Sequence, residues 1–531
     1  MSAPDAFYIT TPIYYVNDVP HLGHAYTTIA CDALARFMRL DGKRVMFLTG
    51  TDEHGQKVEK SARLAGEEPQ AFTDRVSLRF RELTKVLGAT NDDFIRTTES
   101  RHTDSCQAIW NALVEAGDIY LGAYAGWYSV RDEAFFDDSE LKTDAGGNRI
   151  APTGAPVEWV EEPSYFFRLS RWQEPLLKLY RDQPDFILPE TRRNEVISFV
   201  KSGLQDLSVS RTSFRWGVPV PGDESHIMYV WLDALTNYVT AAGYPDTNSD
   251  IFRRFWPADV HVVGKDILRF HAVYWPAFLM AAGVAPPKRV FAHGWWTVEG
   301  QKMSKSVGNV VDPFALIARY GLDQVRYFLL REVPFGNDGD FSHGALVGRA
   351  NSDLANDFGN LAQRVLSMIH RNCDGRLPEP GPLSDDDRAL LDQSRTLIDR
   401  MRADMARQAL SESLERLWAV VRAANGYVDY QAPWALRKTD PARMATVLYV
   451  LAETLRYLAI LAQPFVPNGA AKLLDQLQVA TAERDFAVLN PALALRPGTA
   501  LPKPEGVFPR FVEADADATQ PGQKTDQPAG R

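Results

Sequence analysis

The chain has 531 residues, too many for a single hydrophobic core, so roughly two to four domains are expected. Hydrophobic content of 45% and charged content of 24% are those of a globular protein, and a net charge of −10 excludes a general nucleic-acid coat while leaving room for a local basic groove. Cys31, Cys106 and Cys373 are too few and too far apart for a disulfide framework or a CxxC metal site, which points to a reducing cytoplasm.

Phe7-Tyr8-Ile9 is a short apolar run that stops at a Thr-Thr-Pro turn and predicts a buried strand. Beyond Gly23, the apolar residues Ile29, Ala33, Phe37 and Met38 recur at helical spacing until Gly42 ends the pattern. Val45 to Leu48 predicts a second strand that runs into the polar stretch ending at Gly55. Strand, helix and strand at this spacing form a βαβ unit and predict a doubly wound parallel sheet. Two further apolar strands, Val260 to Val263 and Val290 to Ala292, end in glycine and polar residues. Ligands of open α/β sheets collect at such carboxyl ends.

Between these halves, turn-forming pairs and aromatic clusters predict a small inserted domain. Beyond about Gly348 the pattern is all-helical: Leu410, Leu414, Leu417 and Val421 share one face, as do Leu451, Leu455 and Leu458. The expected division is an α/β domain over 1–116 and 224–347, an inserted connective domain over 117–223, an all-α helical bundle over 348–512 and a polar, disordered tail over 513–531. The N-terminus lacks the basic patch and apolar run of a signal peptide. The most apolar helix, Thr446 to Ala462, carries Glu453 and Arg456 and is expected in a protein core, not in a membrane.

Two motifs stand out. "PHLGHAY" (Pro20 to Tyr26) lies where the first strand turns into the first helix. A helix N-terminus offers unpaired N–H groups and a partial positive charge, which suit phosphate. Gly23 would let a ligand approach the backbone, and His21 and His24, three apart, can point to one side of the first turn. Alone, this is also what a capped helix start with incidental histidines looks like. "GQKMSKSVGN" (Gly300 to Asn309) is a glycine-flanked loop in which Lys302 and Lys305 supply point charges and Ser304 and Ser306 supply donors. A solvated basic loop would read the same way. Because it follows a predicted strand of the same sheet, the two stretches are expected to form a phosphate clamp with one rigid part and one mobile part.

In this order on an α/β pattern, "HLGH" and "KMSKS" resemble the two signatures of class I aminoacyl-tRNA synthetases. "TPIYYVNDVPHLGH", "FLTGTDEHG", "YVWLDALTNY", "GKDILRFHAVYWPAFL" and "AHGWWTVEGQKMSKS" narrow the resemblance to the methionyl-tRNA synthetase family, over nearly the whole chain to about residue 510. The resemblance implies a Rossmann-like catalytic domain and a two-step reaction with ATP, accompanied by Mg²⁺, and with L-methionine and tRNA(Met). It implies catalysis by His21, His24, Lys302 and Lys305, with Gly23, Asp266 and Ser304 added for ATP. It implies Asp52 as the ammonium anchor of methionine and a side-chain slot of Ile13, Tyr15, Trp231, Ala234, Leu235, Tyr238, Ile267 and His271. Trp231, Ala234 and Tyr238 can share a helix face, a stripe that by itself is more often core than pocket. It further implies that Asn360, Arg364 and Trp434 read a CAU anticodon; without it, a surface Asn/Arg pair and a buried Trp would be the plainer reading.

Many relatives carry CxxC-type zinc knuckles in the inserted domain. Here Ser129 and Asp132 stand where cysteines would, and "NRIAPTGAPVE" offers no Cys or His, so a metal-free insertion held by Trp127, Tyr128, Phe135 and Phe136 is expected. A cytoplasmic monomer without membrane contact is expected. The rivals are another class I synthetase and a catalytically inactive tRNA-binding paralogue. The large editing insertion of the leucine, isoleucine and valine enzymes has no room here.

Overall fold

A computed structural model describes residues 5–16, 19–132, 134–303 and 308–512, apart from the side chains at 124, 135 and 162. The segment 513–531, expected to be a disordered tail, therefore lies outside the described residues, as do Ser304, Lys305 and Ser306.

The first βαβ unit forms as its sequence pattern predicts. Strand β1 (Ala6–Thr10) and strand β2 (Tyr14–Tyr15) precede helix α1 (Leu22–Leu40), which leads to β3 (Arg44–Asp52). Fourteen residues of α1 are buried, because the helix packs between the sheet and the helical half of the molecule; Gly42, at φ +81°, turns the chain out of it. Strand β4 (Asp93–Arg96) then pairs with β3, and helix α2 (Ser100–Glu115) crosses the sheet. Gly50 is required in β3: a Cβ there would lie 2.0 Å from the Ile95 carbonyl oxygen of β4.

Next comes a long antiparallel ribbon of β5 (Ile119–Ser129) and β6 (Glu158–Phe167), in register from Ile119 opposite Phe167 to Tyr128 opposite Glu158. The chain then touches the main sheet through the two-residue strand β7 (Ile187–Leu188), before Leu207–Ser208 pairs back onto β6. The aromatic texture of this stretch thus serves both the ribbon and the sheet edge. Helix α3 (Val230–Ala241), β8 (Val260–Gly264) and β9 (Val290–His293) complete the α/β half. The main sheet has seven strands, all parallel, in the order β7-β9-β8-β1-β3-β2 with β4 also on β3. The order reverses between β1 and β8, and the carboxyl ends of these two strands open onto one cavity.

One expectation needs correction. The Lys-Ser loop does not follow the main sheet directly. Trp296–Val298 and Gln301–Lys302 form a separate hairpin beside Gly339–Phe341, so Lys302 is carried on a small satellite sheet.

Helix α4 (Leu322–Arg331) leads into the helical half: α5 (Asn360–Asn372), α6 (Asp385–Ala406), α7 (Leu410–Gln431), α8 (Pro433–Thr439), α9 (Pro441–Ala462) and α10 (Pro467–Gln476). The leucine faces read from the sequence are buried between α6, α7 and α9. Helix α9 is long and apolar enough to cross a membrane, but 89% of its apolar window is buried inside the bundle, and its Glu453 and Arg456 pair with each other. The core is continuous across the two halves, with Phe37 of α1 packed edge-on against Phe486 at 4.9 Å.

Candidate active site

A cavity of about 450 Å³ lies at the carboxyl ends of β1, β3 and β8. Three groups of residues expected to act together line it. His21, Gly23 and His24 come from the start of α1, and Asp266 from the segment after β8. Ile13, Tyr15 and Asp52 come from the ends of the first strands. Trp231, Ala234, Leu235 and Tyr238 come from one face of α3, with Ile267 and His271 from the segment after β8.

His21 and His24 cap α1 reciprocally. The Gly23 N–H donates to Nδ1 of His21 at 3.1 Å, and the His21 N–H donates to Nδ1 of His24 at 3.1 Å. With Nδ1 of each neutral ring accepting, the ring proton must sit on Nε2. The helix start therefore presents two imidazole N–H donors beside its own N-terminal dipole. Burial, with His21 next to it, pushes the His24 pKa well below the usual histidine range, so this ring is neutral. Gly23 is required for a reason internal to the cap: a Cβ there would lie 2.9 Å from Cε1 of His21.

The slot wall is built by hydrogen bonds between its own members. The His271 Nδ1–H donates to the Ile267 carbonyl at 2.9 Å, so Nε2 accepts from the Tyr238 hydroxyl at 2.7 Å. Burial lowers the His271 pKa to about 4 and raises that of Tyr238, keeping both neutral. Trp231 stacks on Phe270 at 3.7 Å, nearly parallel. The result is an apolar, aromatic slot in a cavity that the buried Asp52 also lines.

Some lining residues gave no signal in the sequence. The Trp295 indole N–H donates to Asp266 at 3.2 Å, and Nζ of Lys302 lies 5.0 Å from the Trp295 ring. Trp295 thus links Asp266 to the first lysine of the Lys-Ser loop, and the doubled Trp after Gly294 is the one feature that could have flagged it. Asn237 also lines the cavity; its buried carboxamide oxygen meets no donor among the described residues. Among the described residues that line the cavity there is no serine or cysteine.

The family model for class I tRNA synthetases (M) matches residues 7–366, and that for the anticodon binding domain of methionyl tRNA ligase matches residues 377–522. The chain belongs to the methionyl-tRNA synthetase family. A methionine–tRNA ligase of Mesorhizobium japonicum is 62% identical over 96% of this chain and 98% of that protein, and one of Brucella suis is 60% identical over 96% and 99%. A solved structure of Mycobacterium tuberculosis methionyl-tRNA synthetase in complex with methionyl-adenylate, 55% identical, superposes with a TM-score of 0.93 over 95% of this chain and all of that one.

In this methionyl-tRNA synthetase family member the three residues expected at the anticodon lie in the helical half, away from the cavity. Asn360 is exposed at the start of α5, and Arg364 lies one turn on, its guanidinium 5.6 Å from the Trp434 ring and paired with Asp429 at 2.7 Å. Trp434 is 48% exposed at the start of α8, so it is not a core residue.

The inserted region holds a polar network around Ser129 and Asp132, the positions weighed above as places for a zinc knuckle. Ser129 donates to Asp132 at 3.0 Å, Asp132 also accepts from Thr153, and Arg131 donates to the Thr153 carbonyl at 2.8 Å. Trp127 packs edge-on against Trp159 at 5.4 Å. Among the described residues, the one group with ligand-type atoms close together, His102, Cys106 and Asp233, lies elsewhere, between α2 and α3. His102 Nε2 and Asp233 Oδ1 are 2.7 Å apart, a hydrogen-bond distance, whereas two such ligands on tetrahedral zinc sit about 3.3 Å apart.

Proposed function

We propose that this cavity joins methionine to ATP, forming methionyl-adenylate and pyrophosphate, and then passes the methionyl group to the 3′-terminal adenosine of a tRNA(Met) bearing a CAU anticodon. The observation that carries this reading is the meeting, in one cavity, of two neutral imidazole donors at a helix N-terminus with Asp52 and an aromatic slot. Asp52 holds the ammonium. The slot takes the thioether, whose sulfur gains about 0.3–1.5 kcal/mol against an aromatic ring. The substrate carboxylate then faces the α-phosphate and displaces pyrophosphate. Nε2–H of His21 and His24 donate to phosphate oxygens; Lys302 and Lys305 supply positive charge and Ser304 a hydroxyl donor, and Asp266 accepts from the ribose hydroxyls. In the second step the 2′-hydroxyl of the terminal adenosine attacks the activated carbonyl and AMP leaves. Magnesium enters with the triphosphate, whose oxygens and bound water are its natural ligands.

Several finer readings belong to the same proposal. The catalytic domain covers 1–116 and 224–347, the connective insertion 117–223, except that Ile187–Leu188 joins the catalytic sheet, and the anticodon-binding domain 348–512. Asn360, Arg364 and Trp434 recognise unpaired anticodon bases by amide bonding and stacking. The insertion carries no zinc, the Ser129–Asp132–Thr153 network replacing a knuckle. The protein is a cytoplasmic monomer, in keeping with three cysteines that form no disulfide.

The test is methionine-dependent ATP–pyrophosphate exchange, followed by charging of tRNA transcripts with CAU or altered anticodons. Exchange with methionine and charging of the CAU tRNA are expected. Exchange with a different amino acid would point to another class I synthetase, and tRNA binding without exchange to an inactive paralogue.

A further inference from the structure

Asp52 is followed by two residues that are pinned in opposite directions. Glu53 is buried and turned toward β4: both of its carboxylate oxygens accept from Arg96, at 2.7 and 2.8 Å, with Thr51 and Thr98 completing the shell. His54 is turned the other way, toward α3, where its Nδ1 meets Oδ2 of Asp233 at 2.7 Å. The Trp216 indole donates to the Glu53 carbonyl at 2.5 Å, which fixes the backbone between them.

Asp233 is fully buried. Its second oxygen, Oδ1, meets Nε2 of His102 on α2 at 2.7 Å. Both imidazoles are themselves buried. Burial alone would raise the Asp233 carboxyl pKa, but His54 and His102 together hold it well below the usual carboxylate range, so it is ionised. A buried carboxylate is tolerated only when its lone pairs are satisfied, and here two N–H donors from two different elements do so. Asp233 therefore ties together three pieces of chain that are 131 and 179 residues away from one another's pairing partner: the loop after Asp52, helix α2 and helix α3.

The position of Asp233 on α3 gives this tie a consequence. Trp231, Ala234, Leu235 and Tyr238, the side-chain wall of the cavity, lie on the same helix within about a turn and a half of it. The ammonium anchor and the side-chain wall are thus set against each other through the His54–Asp233 bond. We propose that Asp233, bridging His54 and His102, is a positioning residue that fixes the distance from Asp52 to the wall of the slot, and so selects side-chain length in the amino-acid substrate. The proposal rests on the reading of the cavity as a methionine site. Asp233 touches no substrate; it acts through Asp52 and α3.

Asp233→Asn keeps the shape of the side chain but removes its charge and one acceptor, and His54→Gln releases the loop while leaving the buried carboxylate paired to His102. Pyrophosphate exchange without tRNA should show the Michaelis constant for methionine raised at least ten-fold in both variants, with that for ATP changed less than about two-fold. The kcat/KM preference for methionine over norvaline, one heavy atom shorter, and ethionine, one carbon longer, should narrow by a similar factor. A methionine constant and length preference unchanged in His54→Gln would overturn the proposal. So would a lowered melting temperature with the methionine and ATP constants rising together, which is the mark of a purely structural network. If Asp233→Asn fails to fold, His54→Gln alone decides. Absence of methionine-dependent exchange in the unsubstituted protein would instead sink the reading of the cavity, so the two failures are distinguishable.

Discussion

Arg326 and Asp32, both fully buried, form an ion pair of 2.8 Å between α4 and the middle of α1. The same guanidinium donates to the Pro464 and Phe465 carbonyls at the end of α9, at 2.8 and 3.1 Å. Two turns from the histidines of the cavity, the helix that carries them is thus bonded to the helical half. Nearby, Asp323 accepts from the N–H groups of Asn468 and Gly469 and caps α10. These contacts make the junction between the two halves polar as well as apolar.

Arg326→Met should therefore be costly. It leaves Asp32 with Arg36 as its one remaining cation among the described residues and strands three buried carbonyls, those of Leu87, Pro464 and Phe465. Removing one member of a buried pair typically costs about 3–5 kcal/mol. Urea denaturation should show a loss of that size. Arg326→Met/Asp32→Asn should recover part of it, because the uncompensated charge is gone. A midpoint within error of the unsubstituted protein would show that the pair is not coupled to the junction.

Acid should destabilise the protein before its carboxylates titrate. Burial keeps His24, His261 and His293 neutral with lowered pKa values, and brings His271 down to about 4. In the unfolded chain each titrates near 6.5. The folded state then binds fewer protons, so the contribution of each ring is complete above about pH 6.5 and falls as pH drops toward its folded pKa, by up to about 1.4 kcal/mol per pH unit. Carboxylates such as Asp233, whose pKa is depressed, lose their contribution only below about pH 4. The denaturation midpoint should fall steeply between pH 6.5 and 5, and His271→Gln should reduce that slope by one proton. A flat profile over this window would contradict neutral buried rings.

Trp434→Ala should weaken tRNA use and leave adenylate formation alone. Stacking of a base on an aromatic ring is worth about 1–3 kcal/mol, so kcat/KM for charging should fall at least ten-fold. Exchange without tRNA should stay near normal. Because half of the ring is exposed, the melting temperature should hardly move. A lowered melt with exchange and charging falling together would mark Trp434 as packing.

The inserted region should bind no stoichiometric zinc, and a chelator should leave the melt unchanged. Elemental analysis near one zinc per chain would contradict this. Ser129→Ala, which removes a bond donated to the Asp132 carboxylate and one accepted from the Asp132 N–H, should then cost about 1–3 kcal/mol.

Much of the α/β half, the bundle faces and the place of the cavity at the strand ends was legible in the sequence, because those features come from local geometry. Apolar residues at helical spacing in α1 and α9 follow from 3.6 residues per turn, and short apolar runs closed by glycine follow from the length of a buried strand. The slot residues of α3 came into view through the family resemblance alone, since the helical spacing of Trp231, Ala234 and Tyr238 by itself reads more often as core. What stayed hidden is what joins distant segments. Nothing local distinguishes Asp233 from any other aspartate on an apolar helix, yet the fold delivers His54 and His102 to its two oxygens. Asp32 reads as an ordinary helix residue until Arg326, far along the chain, reaches it. The hairpin that carries Lys302 and the brief return of Ile187–Leu188 to the sheet edge depend on pairing partners in other segments. Periodicity tells which face of an element is buried. Which buried polar groups meet there is decided only when the faces dock, because a buried charge selects its partner by three-dimensional proximity and desolvation, not by sequence distance.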